Sequence, residues 1–283
     1  MIDLPRGDAV GEKSEILFLL LGQLSVGGVV LLAAISRRQL GLSFFRLNGL
    51  IFFLLMGAAI PGIPAPATDG GVLGLLHSWP GATIVLTLAY AACLFAYLVT
   101  FWIRKETHAT SWLYGAAFFG VGLVVASALT YAERLAEGPV QVLIPLNFLL
   151  SSLVLGSALL GMLLGHRYLT NPHLSIAHLN VLAWTFLIAI VLQGGLTIGG
   201  FLLGANREAV LAALRIETVL GLFFWIRLAV GIAMPLVLAL MILNTIRYRA
   251  NMSATGLLYI AVLMVMAGEA FSRYVLLTEA IIL

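Results

Sequence analysis

"EILFLLLGQLSVGGVVLLAAI", residues 15–35, carries a carboxylate at its first position and no other charge. At about 1.5 Å per residue, some 20 residues of helix cover about 30 Å, the hydrocarbon thickness of a bilayer. The run is continuously apolar instead of alternating, so it reads as a membrane-spanning helix and not as a barrel strand. The rest of the chain is of the same kind. Of its 283 residues, 62% are hydrophobic and 10% are Asp, Glu, Lys or Arg, against about 25% charged in a soluble domain. A soluble chain of this length has too few charges here to cover its surface.

Eight such runs are expected to span, at about 16–36, 43–65, 82–103, 111–132, 140–165, 179–204, 218–245 and 254–280. The fold class is therefore all-α, a polytopic transmembrane helix bundle forming one domain over residues 1–283, with 1–15 as an exposed N-terminal segment. That segment, "MIDLPRGDAVGEKSE", lacks the basic n-region and cleavage pattern of a signal peptide, so the first run is expected to be a retained span. The second run carries Arg46 near its start and breaks up at "PGIPAP", residues 61–66. The stretch "GGVLGLLHSW", residues 70–79, is too short to span and reads as interfacial, with Trp79 at headgroup level.

Loop charges alternate. The loops after spans 1, 3, 5 and 7 hold Arg37, Arg38, Arg46, Arg104, Lys105, Arg167, Arg247 and Arg249 against Glu106 alone, a balance of +7. The other side holds Arg6, Lys13, Arg134, Arg207 and Arg215 against Asp3, Asp8, Glu12, Glu15, Asp69, Glu133, Glu137, Glu208, Glu217 and Glu279, a balance of −5. The positive-inside rule then puts both termini on the non-cytoplasmic side of a multi-pass protein of the cell inner (plasma) membrane. An odd number of spans would spoil the alternation. Topology thus accounts for the net charge of +3, which gives no reason to expect nucleic acid as a partner. The partner to expect first is the lipid bilayer.

Small residues at a spacing of four mark places where helices can approach in lipid: Ser157, Gly161 and Gly165 in span 5, and Gly195 with Gly199 and Gly200 with Gly204 in span 6. No repeat between the two halves is visible, which disfavours an inverted-repeat transporter.

Only Glu269, Arg273 and Arg227 are charges well inside the spans. Each costs about 2.5–3.5 kcal/mol at mid-helix on insertion scales, so all three need partners or water. Glu269 and Arg273 are four apart and share a helix face. Counted from residue 254, they lie about 22 and 28 Å into span 8, and Arg227 lies about 14 Å into the antiparallel span 7. The three reach nearby depths if spans 7 and 8 pack together. Gln23 of span 1, Gln193 of span 6, and Asn147 of span 5, followed by Ser151 and Ser152, can share that level and line a polar pocket opening outward. Two readings stand. In one, the carboxylate neutralises an arginine and fixes helix register. In the other, two arginines to one glutamate leave a positive charge over, suited to an oxygen-rich or anionic headgroup or to a step in a proton path.

Four of the five histidines, His108, His166, His173 and His178, fall on the arginine-rich side, with His77 on the other. Bis-imidazole ligation of haem b needs two of them facing each other, and His166 with His178 is the candidate metal-ligating pair. Alternatively they only add to the headgroup-level positive charge. The single cysteine, Cys93, excludes an intrachain disulfide, a CxxC metal site and a CxxCH haem attachment. No HExxH, GxSxG, Walker or dinucleotide-binding pattern occurs.

Eight spans with both termini outside, the first span quoted above and a last helix reading "GEAFSRYVLL", residues 268–277, resemble the membrane-anchor subunits of dimethyl sulfoxide reductase and related NrfD-type proteins. The resemblance covers the topology and these two stretches. It implies an integral membrane subunit of an electron-transfer complex, a quinone- or quinol-interacting anchor working in the outer half of the membrane. Electrons would pass to or from iron–sulfur or haem subunits docked on the outer face. On that footing Glu269 is the proton-handling, catalytic carboxylate, and Arg227, Arg273, Gln23 and Gln193 bind the quinone. The chain would be a quinone-site subunit of an oxidoreductase and not a self-sufficient enzyme. The alternatives are a haem b membrane cytochrome, a purely structural membrane subunit and a small-solute transporter.

Overall fold

In hydrocarbon every backbone N–H and C=O must find its partner within the protein, and an apolar run does so by closing on itself as a helix. The computed structural model describes residues 9–35, 40–64, 78–103, 106–135, 140–171, 174–203, 214–215 and 217–279. Among these, eight helices are long and apolar enough to cross a membrane, and there is no strand. They are α1 (Ala9–Ala34), α2 (Leu42–Ala59), α3 (Trp79–Trp102), α4 (Glu106–Leu135), α5 (Val140–Thr170), α6 (Ala177–Leu203), α7 and α8 (Asn251–Glu279). Helix α7 is composite: an α-helix over Val219–Ile226, a π-helical stretch over Arg227–Ala233 and an α-helix over Met234–Arg247. The chain is a multi-pass all-α membrane protein.

The ends follow local chemistry. Helix α1 extends back to Ala9, so Glu15 belongs to the helix and not to an exposed tail. Pro61 closes α2 in a single 3-10 turn over Ile60–Gly62. Residues 65–77, with His77 and most of the expected interfacial stretch, lie outside the described residues. Trp79 opens α3, where Ser78 caps the helix by accepting from the Gly81 N–H at 3.3 Å. Its indole N–H donates to Glu133 Oε1 at 2.6 Å, tying the start of α3 to the end of α4. Helix α7 ends at Arg247, and two residues on Arg249 has φ 54°. There the Arg249 N–H donates to Ile246 O at 2.9 Å and the Ala250 N–H to Thr245 O at 3.0 Å. This paired closure usually has glycine at the left-handed position. An L-residue there costs about 1–2 kcal/mol.

Packing divides the eight helices into two rings of four. In the first, α1 meets α2, α2 meets α3, α3 meets α4 and α4 returns to α1. In the second, α5, α6, α7 and α8 meet in the same cyclic order. The rings join along α1 and α5, flanked by α4–α5 and α1–α8 contacts. These two helices are accordingly the inner ones, with 72% and 78% of their spans buried against 33–50% for the others. The two halves therefore repeat an arrangement that their sequences do not display, and with four spans each the repeat is parallel.

Glycines make the central seam. A Cβ added at Gly27 would fall 1.7 Å from Ser152 O, and one at Gly156 would fall 2.2 Å from the Gly27 carbonyl carbon, so α1 and α5 touch backbone to backbone. Gly161 and Gly165 face Leu258 and Thr255 of α8 at 3.3 and 2.7 Å, so the small-residue row of α5 is an interface. The Gly195–Gly199 row of α6 is not. Gly195 and Gly199 have nothing within 4 Å, since α6 buries the face carrying Gln193, Thr197 and Gly200 instead. Gly204 lies outside the described residues.

A buried ionic cluster at the seam of the two rings

The cluster is assembled from five helices in the half of the bundle where α1 and α5 begin. Glu269 and Arg273 come from α8, Arg227 from α7, Gln193 from α6, Asn147 and Ser151 from α5, and Gln23 from α1. None of the seven is more than 2% exposed. Removing each ion from water costs several kcal/mol, which only good pairing offsets.

Glu269 is the hub. Its Oε1 accepts from Gln193 Nε2 at 2.6 Å and lies 2.8 Å from Arg227 Nη1. Its Oε2 accepts from Arg273 Nη2 at 3.2 Å. The same Nη2 donates to Ser151 Oγ at 2.6 Å and to Gln23 Oε1 at 3.1 Å. Arg273 Nη1 donates to Asn147 Oδ1 at 3.4 Å, and the guanidinium sits 4.0 Å over the Phe148 ring. Because guanidinium only donates and carboxylate only accepts, these contacts fix every amide: Gln23 and Asn147 turn their oxygens to Arg273, and Gln193 turns its nitrogen to Glu269.

The two arginines are not equally satisfied. Arg227 is held by distance alone. Coulomb attraction at 2.8 Å does not depend on direction, yet no N–H of Arg227 is aimed at an acceptor, so its Nε, Nη1 and Nη2 make no hydrogen bond. Arg273 Nε, Asn147 Nδ2 and Gln23 Nε2 are also without partners, as are Gln193 Oε1 and Thr197 Oγ1 one turn further along α6. The unmet capacity is mainly donor capacity, around a net charge of +1.

Arg227 fits because two glycines leave room for it. A Cβ at Gly231 would lie 2.9 Å from both Arg227 Nη1 and Gly268 Cα, and one at Gly268 would lie 2.2 Å from Gly231 Cα. The π-helical stretch starts at Arg227 and closes with the Met234 N–H donating to Ala229 O. Pro235 follows it, and a proline ring clashes with the carbonyl four residues back unless the helix widens or kinks.

No protein-family model matches the chain, and no curated protein matches it.

The structure thus brings Glu269, Arg273, Arg227, Gln193 and Gln23 into one network of contacts, with Asn147 and Ser151. Ser152 stays apart, its hydroxyl donating to Phe148 O at 2.9 Å within its own helix. Thr197, Phe148, Gly231 and Gly268 were not singled out by sequence reasoning. The nearest available signal is the Gly268-Glu269 pair, a small residue beside a buried charge. Outside the cluster, the Tyr131 ring lies tilted against Phe148, 6.3 Å between centroids, and its hydroxyl donates to Glu15 Oε2 at 2.9 Å. One aromatic layer therefore separates Arg273 from a half-buried carboxylate at the start of α1. His166 is exposed on α5, and His178 is half-buried at the start of α6 with contacts of its own. His173 lies outside the described residues. Among those described, no three His, Cys, Asp or Glu side chains gather to hold a metal ion.

Proposed function

We propose that this protein is the quinone-interacting membrane subunit of an electron-transfer complex in the cell inner (plasma) membrane, with the arginine-rich end facing the cytoplasm. The observation that carries this reading is the donor surplus of the cluster. The unpartnered N–H groups of Arg227, Arg273, Asn147 and Gln23 suit a ligand that offers acceptor oxygens, and a quinone offers two carbonyls. When bound, the quinone couple supplies two-electron, two-proton chemistry. Arg227 would hold a quinone oxygen, Glu269 would take or return the proton, and Gln193 and Gln23 would orient the ions that flank it. An iron–sulfur or haem subunit docked at the outer face would be the electron partner. This agrees with the resemblance of topology and end helices to dimethyl sulfoxide reductase anchors.

A cavity beside the cluster, lined by Gln23, Gly22 and Ser127 among others, is about 10 Å³, room for one water at most. A quinone ring therefore requires the cluster to open, and we assign that opening to the π-helical turn carrying Arg227, where the regular hydrogen-bond ladder is interrupted. No observation favours haem, since His166 lies exposed.

The test is quinol-coupled turnover of the intact complex, purified in mild detergent with whatever subunits accompany the chain. Arg227→Gln is expected to leave assembly unchanged and lower turnover at least about tenfold, the loss of one directed transition-state contact. Full turnover in assembled complexes of both Arg227→Gln and Glu269→Gln would mean that the cluster only locks helices. A haem spectrum from the purified chain alone would instead support the cytochrome reading.

A further inference from the structure

At the arginine-rich end, remote from the ionic cluster, α6 and α7 part to leave a groove of about 680 Å³. Its lining is graded. Asn180, Trp184 and Leu187 follow one face of α6 at helical spacing, running about 10 Å inward. On α7 the order inward is Arg247, Asn244, Leu243 and Leu240. The mouth is thus polar and cationic, and the depth is apolar. Among the described residues no acidic residue lines it, and neither the Arg247 nor the Arg249 guanidinium has a hydrogen-bond or ion-pair partner. Arg249, moreover, holds the left-handed closing position of α7 where a glycine would sit without strain. The residue kept there is the one whose side chain borders the groove.

We propose that the α6–α7 groove binds an anionic phospholipid, its phosphate between Arg247 and Arg249 and one acyl chain along Leu187, Leu240 and Leu243. Two guanidinium groups match a phosphodiester in charge and in donor geometry. A free phosphate would leave the apolar depth unused, whereas a lipid fills both zones. The corresponding groove of the first ring, between α2 and α3 at the same end, is about 370 Å³ and, among the described residues, has Arg46 as its one basic lining residue. It supplies an internal comparison.

Native mass spectrometry of the purified full chain tests this, with dioleoyl phosphatidylglycerol, dioleoyl phosphatidylcholine and inorganic phosphate as probes. Phosphatidylglycerol is expected to bind about tenfold more tightly than phosphatidylcholine, the scale of two basic contacts. The double variant R247Q/R249Q should abolish that preference, R46Q should leave it, and millimolar phosphate should not displace the lipid. Arg249→Gly is the safeguard against a folding defect: it should raise thermal stability by relieving the cap while lowering the preference about threefold. Equal binding of the two lipids, a preference that survives R247Q/R249Q or follows Arg46 instead, or displacement by phosphate would each overturn the proposal.

Discussion

Arg227 and Arg273 flank one carboxylate, but their environments differ, and so must the consequences of losing each. Arg273 is met by Glu269, Ser151, Gln23 and Asn147 and lies on Phe148. Arg227 has only its 2.8 Å approach to Glu269. Removing Glu269 as Glu269→Gln leaves two buried cations uncompensated and is expected to destabilise the protein by about 3–5 kcal/mol. Arg227→Gln leaves one matched, well-bonded pair and should change stability by no more than about 1 kcal/mol, because replacing a poorly satisfied buried ion is often neutral. Thermal unfolding in one detergent decides: equal losses would show that Arg227 is as necessary to the fold as its partner. The sequence allowed the cluster's membership to be read, because charges in an apolar run are rare and their depths follow from the helix rise. It did not allow the inequality to be read. Ser151 and Ser152 are neighbours in the chain, yet a 100° turn sends one hydroxyl into the cluster and the other back to its own helix.

Among the helices, the same distinction separates glycines that look alike on paper. Gly156 and Gly195 are both glycines within spans, but a side chain at 156 would strike the backbone of α1, while one at 195 meets nothing within 4 Å. Gly156→Leu should therefore cost about 1–3 kcal/mol or more from overpacking. Gly195→Ala should be neutral or should stabilise by up to about 1 kcal/mol through helix propensity. Melting temperatures of the two variants check the pair, and a costly Gly195→Ala would show that another surface packs on α6. Spans were legible because apolar length alone makes a membrane helix. Helix faces were not, because spacing of four marks a stripe without saying whether protein or lipid lies against it. The widening of α7 at Arg227–Ala233 was likewise hidden: Pro235 announces some irregularity, but which turn absorbs it depends on the contact of Gly231 with Gly268 across helices.

For the whole molecule, two predictions concern how the halves sit in the membrane and on each other. The charge asymmetry of the loops predicts sidedness. In a Cys93→Ala background, Asn171→Cys should resist a membrane-impermeant maleimide in intact cells, and Arg215→Cys should react; the reverse pattern would invert the orientation. The second prediction follows from the two rings. Each closes a four-helix circuit of its own, and the cluster draws all of its members from α5 to α8 except Gln23. Nothing in the contact pattern requires the peptide link between α4 and α5, since the seam is held by packing of α1 on α5 with α4–α5 and α1–α8 at its flanks, centred on the backbone contact of Gly27 with Gly156 and the Arg273 bond to Gln23. Cutting the chain between residues 137 and 138 and expressing both pieces together should therefore yield two fragments that insert separately and purify as one. Gly27→Leu in the first piece should abolish the association, because its side chain would displace the Ser152 carbonyl and with it the approach that brings Gln23 to Arg273. Gln23→Ala removes only one hydrogen bond to a cation, about 1.5–3 kcal/mol, and should weaken the association without abolishing it. Fragments that never associate, or that associate regardless of Gly27, would show that the rings are held by something other than this glycine seam.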